Sequence, residues 1–222
     1  MPGRKTPIEN DHFYHIINRG LSDQKIFQDQ DDFSRAMESI SYYRHGRTPI
    51  KFSRFVSLSP IEKMETLREI GKNKPNIEII SFCLMPTHFH FAIKQLEDGG
   101  IAQFMANFSN SLTRYFNTKR ERRGPILMGS YTNILIKNDE QLLHLTRYHH
   151  LQPYSAGIVN TLEELKNYPY SSLPEYLNPK SENICNTKIV MDFFKSSEEY
   201  KKFVLDRAEY QRELEIIKHL LP

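Results

Sequence analysis

The chain has 222 residues, 39% hydrophobic and 26% charged, enough to bury a core in one elaborated domain or in a domain with an appendage. No apolar run approaches the roughly 18 residues that cross a bilayer. The opening MPGRKTPIENDHFYHI lacks the apolar segment of a secretory signal, and two cysteines, Cys83 and Cys185, are too few for a disulfide scaffold or a cysteine-based zinc knuckle. The expected setting is the cytoplasm. A net charge of +3 is too small to argue for a nucleic-acid partner by itself.

In chain order, DHFYHIINRG alternates and ends in Asn18-Arg19-Gly20, a strand leaving through a turn. DDFSRAMESISYYR opens with acids and spaces Phe33, Met37, Ile40 and Tyr43 as one face of a helix. Residues 45–75, broken by Pro49, Pro60 and Pro75, read as an insertion with a short helix around SPIEKMETLREIG. NIEIISFCLMPTHFHFAIKQ holds two strands parted by Met85-Pro86-Thr87, where proline cannot supply a ladder hydrogen bond, so a hairpin is expected. GGIAQFMANFSNSLTRYFNTKR carries Ile101, Phe104, Met105, Phe108, Leu112 and Phe116 on one stripe, the longest helix of the chain. SYTNILIK is a fourth strand, and DEQLLHLTRYHHLQP a helix expected to stop at Pro153.

The order βαββαβ followed by a helix places the chain in the α+β class. It predicts a ferredoxin-like or RRM-like antiparallel sheet with helices on one face and a further helix after the fourth strand. After NYPYSSLPEYLNPKSEN the composition shifts to Lys/Glu-rich helical sequence, so 1–178 reads as the principal domain and 179–222 as a helical extension. There are no internal repeats.

The stretch MPTHFHFAI raises the chemical question. Along a strand side chains alternate, so Phe89, Phe91 and Ile93 face the core while His88 and His90 share the other face, about 7 Å apart. Two such imidazoles can share a metal ion when a third ligand arrives from elsewhere. In HLTRYHHLQP the helical period aligns His144, Tyr148 and Gln152. A glutamine carbonyl suits a hard divalent ion, and a phenol can become a covalent nucleophile. Tyr115 and Tyr131 are followed four residues later by Lys119 and Leu135 and bring no ligand with them. A zinc hydrolase built on His-x-His would leave Tyr148 without a role. The basic stretch RYFNTKRERR, with Arg114, Lys119, Arg120, Arg122 and Arg123, reads as a solvated helix end unless chemistry lies nearby.

Taken together, NRG, MPTHFHFAI, SLTRYFNTKRERRG, LLHLTRYHHLQPYSAGIV and YPYSSLPEYL occur in the order found in single-tyrosine HUH transposases, and the chain resembles the REP-associated tyrosine transposases over residues 10–178. The resemblance implies that His88, His90 and Gln152 bind Mg²⁺ or Mn²⁺ and that Tyr148 attacks a phosphodiester to form a 5′-phosphotyrosine. The substrate it implies is single-stranded or hairpin DNA, and no membrane is involved. Within it Arg19, Arg114, Lys119, Arg120, Arg122 and Arg123 meet phosphates. Chemically, the phenolic proton has to go to the metal environment, a water or a neighbouring base, for which His144 and His149 are the candidates. Ser130, in LMGSY, stands where many relatives carry a basic residue. The rival expectation is a noncatalytic nucleic-acid-binding protein on the same fold.

Overall fold

The computed structural model describes residues 7–46, 48–179 and 183–220. At its centre lie β1 (Phe13–Arg19), β2 (Ile77–Met85), β3 (His88–Gln95) and β4 (Thr132–Ile136), an open antiparallel sheet in the order β2-β3-β1-β4. Pro86-Thr87 forms the tight connection between β2 and β3, and the Pro86 carbonyl accepts from the N–H groups of Ile26 and Phe27 at 2.7 and 3.1 Å. The proline thus sits where no ladder donor is needed.

Two helices cover one face: α1 (Gln30–Tyr43), opened by the Asp29 side chain on the Asp32 N–H, and α4 (Gly100–Lys119). Alternation sends Tyr14, Ile16, Phe82, Leu84, Phe89, Phe91 and Ile93 toward Phe33, Ile40, Phe104 and Phe108 of these helices. Phe89 and Phe91 are fully buried, each contributing about 2–3 kcal/mol of transfer free energy. The 45–75 segment forms α2 (Phe52–Val56) and α3 (Pro60–Gly71), the latter started by a Ser59–Glu62 capping box. Phe55 and Ile70 pack on Tyr42 as a satellite core.

The opposite face is covered as well. Helix α5 (Asp139–Ser155), capped by Asn138, lies on β2 and β3. It is joined by α6 (Leu162–Lys166), α7 (Leu173–Leu177), α8 (Lys188–Met191), α9 (Ser197–Leu205) and α10 (Ala208–Leu220). Leu142, Leu151 and Tyr154 of α5 share a core with Ile80 and Ala92 of the sheet and with Leu165, Tyr176, Val190, Tyr200 and Val204. The two crossover helices therefore keep to one face as expected, while the helix after the fourth strand builds a second layer.

Helix α5 does not stop at Pro153. It runs on to Ser155, because the proline forfeits one helical bond and the end is rebuilt by Ala156 N–H on Gln152 O at 3.0 Å and Ile158 N–H on Pro153 O at 2.8 Å. No described helix is long and apolar enough to cross a membrane.

Candidate active site

Strand register decides which side chains share the second face. Arg19, Ile17 and His15 of β1 lie opposite His88, His90 and Ala92 of β3, and Met85, Cys83 and Ser81 of β2 oppose the same three from the other side. Directly opposed residues point the same way, so the face reads in rows: Met85–His88–Arg19, Cys83–His90–Ile17, Ser81–Ala92–His15. Ala92 is the small member between two polar ones, and α5 packs over it.

The His88 and His90 rings meet edge to face with centroids 4.9 Å apart, and the Tyr148 ring meets His90 edge-on at 5.6 Å. Gln152 follows one turn after Tyr148 on α5 and is 3% exposed. The structure thus brings Tyr148 from the second layer against His90 and sets Gln152 on the same side of the helix. His90 Nε2 and the Gln152 side-chain nitrogen are buried without a hydrogen-bond partner, a condition that native interiors rarely tolerate. Turning the amide over would present its oxygen in place of the nitrogen.

Hydrogen bonds to the far side of each ring hold it in place. His88 Nδ1 lies 3.0 Å from Thr87 Oγ1 and His90 Nδ1 lies 3.1 Å from His15 Nε2, as outer partners hold ligating histidines. Two imidazoles and a side-chain amide turned oxygen-inward are donor types that a divalent cation accepts, and His90 Nε2 and the Gln152 amide nitrogen are left without other partners.

No local pattern in the sequence singles out His15. Register places it under α5, where its ring lies 5.3 Å from His90 and 5.0 Å from His149, with His90 and His149 5.4 Å apart. One ring nitrogen from each of the three lies within 4.8 Å of the others, and the cluster is compatible with divalent-metal binding. His149 Nδ1 is 2.9 Å from Ser81 Oγ. Burial lowers His15 to about 4, and burial followed by neighbouring histidines holds His90 and His149 well below the usual imidazole range. All three are therefore neutral at pH 7.

That result counts against His149 as acceptor of the Tyr148 proton, because its basicity is spent by burial. His144 is exposed and takes Arg147 Nη2 on its Nδ1 at 2.7 Å. The next histidine, His150, is locked between Ser172 Oγ and the Tyr200 hydroxyl, each at 2.8 Å.

The cations divide into three groups. Arg19, exposed at the end of β1 and 3.3 Å from Asp23, lies where the turn after α4 returns: Leu21 N–H reaches Ile126 O and Met128 N–H reaches Arg19 O, each at 2.8 Å. Arg122, bonded to Gln24 Oε1, and exposed Arg123 belong to this turn and gather with Arg19 at the His88 end of the sheet. Lys119 and Arg120 are committed to ion pairs within the protein, with their side chains 28% and 20% exposed. Arg120 clasps Asp32 at 2.6 and 3.2 Å, and Lys119 reaches Asp29 at 2.6 Å and Asp32 at 3.1 Å. Arg114 lines a groove of ≈ 950 Å³ with Arg35, Lys51 and Tyr115 on the α1–α4 face, across the sheet from Tyr148.

Two cations that the sequence patterns did not mark stand beside the tyrosine. Arg147 and Arg207, with Tyr210 and Gln211, line a cavity of ≈ 280 Å³ against Tyr148, and Gln211 Nε2 donates to the Tyr148 carbonyl at 3.3 Å. Nothing local in the tail signals this docking, which depends on the packing of α10 on α5.

No protein-family model matches the sequence, and no curated protein matches it. Among solved structures, a REP-associated tyrosine transposase bound to a REP hairpin is similar to this chain with a TM-score of 0.51 at 11% identity, covering 82% of this chain and 90% of that one. At that identity the likeness establishes the fold, a four-stranded antiparallel sheet with helices on both faces, and leaves the chemistry to the site.

Proposed function

We propose that this chain is a metal-dependent endonuclease and strand transferase for single-stranded or hairpin DNA, with Tyr148 as nucleophile. The observation that carries the reading is the pair of orphaned buried atoms, on His90 and Gln152, beside the tyrosine. The solved neighbour's bound hairpin supports DNA as the substrate. His88, His90 and Gln152 would hold Mg²⁺ or Mn²⁺, the amide oxygen favouring such harder ions over an all-imidazole preference. A bound ion would supply positive charge to a nonbridging phosphate oxygen.

Tyr148 does the covalent work. Its phenolic oxygen forms a bond to phosphorus as the bond from phosphorus to the 3′-oxygen breaks, leaving a 5′-phosphotyrosine and a free 3′-hydroxyl. The phenolic proton passes to water at the partly exposed mouth of the site, since the nearest imidazoles are weak bases, and water returns a proton to the departing 3′-oxygen. The ester keeps the energy of the broken bond, so a second 3′-hydroxyl can reverse the step on a new strand. Arg147 and Arg207 border the nucleophile and are placed to meet the phosphates next to the broken bond, while Arg19, Arg122 and Arg123 track the strand past His88. Arg114 would engage DNA that wraps to the α1–α4 face, and Lys119 and Arg120 act chiefly by fixing the turn.

Labelled hairpin DNA with a single-stranded flank, incubated with Mn²⁺, should leave a label on the protein that survives denaturation. Tyr148→Phe and His90→Ala should abolish it, and chelation should suppress it. DNA binding with no adduct under any of these conditions would instead make the chain a binding protein.

A further inference from the structure

We propose that His15, His90 and His149 form a second metal site, selective for a borderline transition ion such as Zn²⁺, which competes with the His88–His90–Gln152 set for the His90 ring. The site stands on its own geometry. Only the competition rests on the function proposed above.

The site is built by register. Ser81, Ala92 and His15 form one row across three strands, and the Ala92 methyl leaves room for His149 to descend from α5. His15 Nε2 and His90 Nδ1 are 3.1 Å apart, close to the separation of about 3.3 Å between two imidazole nitrogens on one tetrahedral Zn²⁺ with bonds near 2.0–2.1 Å. His149 is fully buried, its Nδ1 is taken by Ser81, and its Nε2 has no partner. The third nitrogen lies within 4.8 Å, so a movement of up to about 1.5 Å completes a set of three. Ser81 plays the part of the outer hydrogen-bond acceptor that orients a ligating histidine.

The donor chemistry sets the ion. All three ligands are neutral nitrogen donors without a carboxylate or amide oxygen, a set that binds Zn²⁺, Ni²⁺ or Cu²⁺ far better than Mg²⁺. Water would take the fourth position, as it does in other three-histidine sites.

The competition follows from the tautomers of one ring. Neutral imidazole carries one N–H and one lone pair. When His90 donates from Nδ1 to His15, its lone pair is on Nε2, the atom left for the His88–Gln152 side. When His90 gives its Nδ1 lone pair to an ion held by His15 and His149, the proton must sit on Nε2 and that side loses a ligand. A Zn²⁺-class ion in the triad therefore opposes Mg²⁺ or Mn²⁺ beside Tyr148.

Metal-stripped full-length protein titrated with Co²⁺, a coloured stand-in for Zn²⁺, should develop the strong visible absorption of a four-coordinate ion at one equivalent, and Zn²⁺ should bleach it. The band should persist in His88→Ala and Gln152→Ala, vanish in His149→Leu and His149→Gln, and require about tenfold or more extra Co²⁺ in Ser81→Ala. Circular dichroism and melting of the His149 variants check that they fold, and if they do not, the Co²⁺ requirement of Ser81→Ala decides between the two outcomes. In parallel, Mn²⁺ bound to the protein, followed by electron paramagnetic resonance, should be released by one equivalent of Zn²⁺ in the unmodified chain and resist release in His149→Gln. A missing band in the unmodified chain, or a band lost with His88→Ala and kept in both His149 variants, overturns the second site. A normal band in a chain that binds no Mn²⁺ upholds the site and overturns the competition together with the catalytic metal set.

Discussion

Asp32 is the place to ask whether Lys119 and Arg120 serve the fold or the DNA. Its carboxylate is 2% exposed and accepts from the Gln28 N–H at 2.8 Å, from Arg120 at 2.6 and 3.2 Å and from Lys119 at 3.1 Å. Burial works to raise its pKa, and the bonds from Arg120, Gln28 and Lys119 overcome this and hold it below the usual carboxylate range. Asp32→Asn keeps an acceptor for Gln28 but removes the charge. Breaking a buried pair costs about 3–5 kcal/mol when a buried ion is stranded. Here the stranded Arg120 side chain is 20% exposed and can rehydrate, which brings the expected loss to about 2–3 kcal/mol.

Urea denaturation would read that loss as a lower midpoint at unchanged slope. The same substitution loosens Arg120 at the end of α4, while Lys119 keeps its bond to Asp29, so affinity for single-stranded DNA should become more salt-dependent by up to about 0.7 in logarithmic slope as Arg120 reaches a phosphate. Lys119→Ala should weaken DNA binding less than Arg123→Ala. A structural role for the two cations is refuted if Asp32→Asn costs less than about 0.5 kcal/mol, within the range of an ordinary surface change, while Lys119→Ala weakens DNA binding as much as Arg123→Ala.

Acid should destabilise the fold through its buried histidines. Burial lowers His150 to about 3 against an unfolded value near 6.5, so below pH 6.5 the unfolded chain takes up the proton first. The contribution is complete above pH 6.5 and drains as pH falls toward 3, by about 2 kcal/mol at pH 5. Denaturation midpoints at pH 7.5 and 5.0 should show it, with a smaller decline in His150→Gln. Gly20→Ala should cost about 1–3 kcal/mol, because a Cβ there would lie 2.1 Å from the Gln24 carbonyl oxygen. The same melts measure it, and a neutral outcome would show that the turn after Arg19 yields.

Much of this was legible in local sequence. Alternation in HFHFAI separated the Phe89–Phe91 core face from the histidine face, and the spacing of Tyr148 and Gln152 put both on one side of a helix. What stayed hidden depends on partners distant in sequence. His15 and His90 are 75 residues apart and meet only through strand register. Lys119 and Arg120 read as free cations because Asp32, their partner, lies 87 and 88 residues away. The second helical layer was invisible for the same reason: the period of α5 shows which residues share a side, not which face of the sheet that side covers.

The most direct test of a tyrosine nucleophile is to locate the DNA on the protein. After reaction with hairpin DNA and Mn²⁺, nuclease trimming and tryptic digestion, cleavage after Arg147 and Lys166 gives a peptide that begins at Tyr148 and also contains Tyr154. Fragmentation should place the nucleotide mass on Tyr148. A nucleotide on any other residue, or an unmodified peptide from DNA that has been cut, would contradict a tyrosine nucleophile at this position.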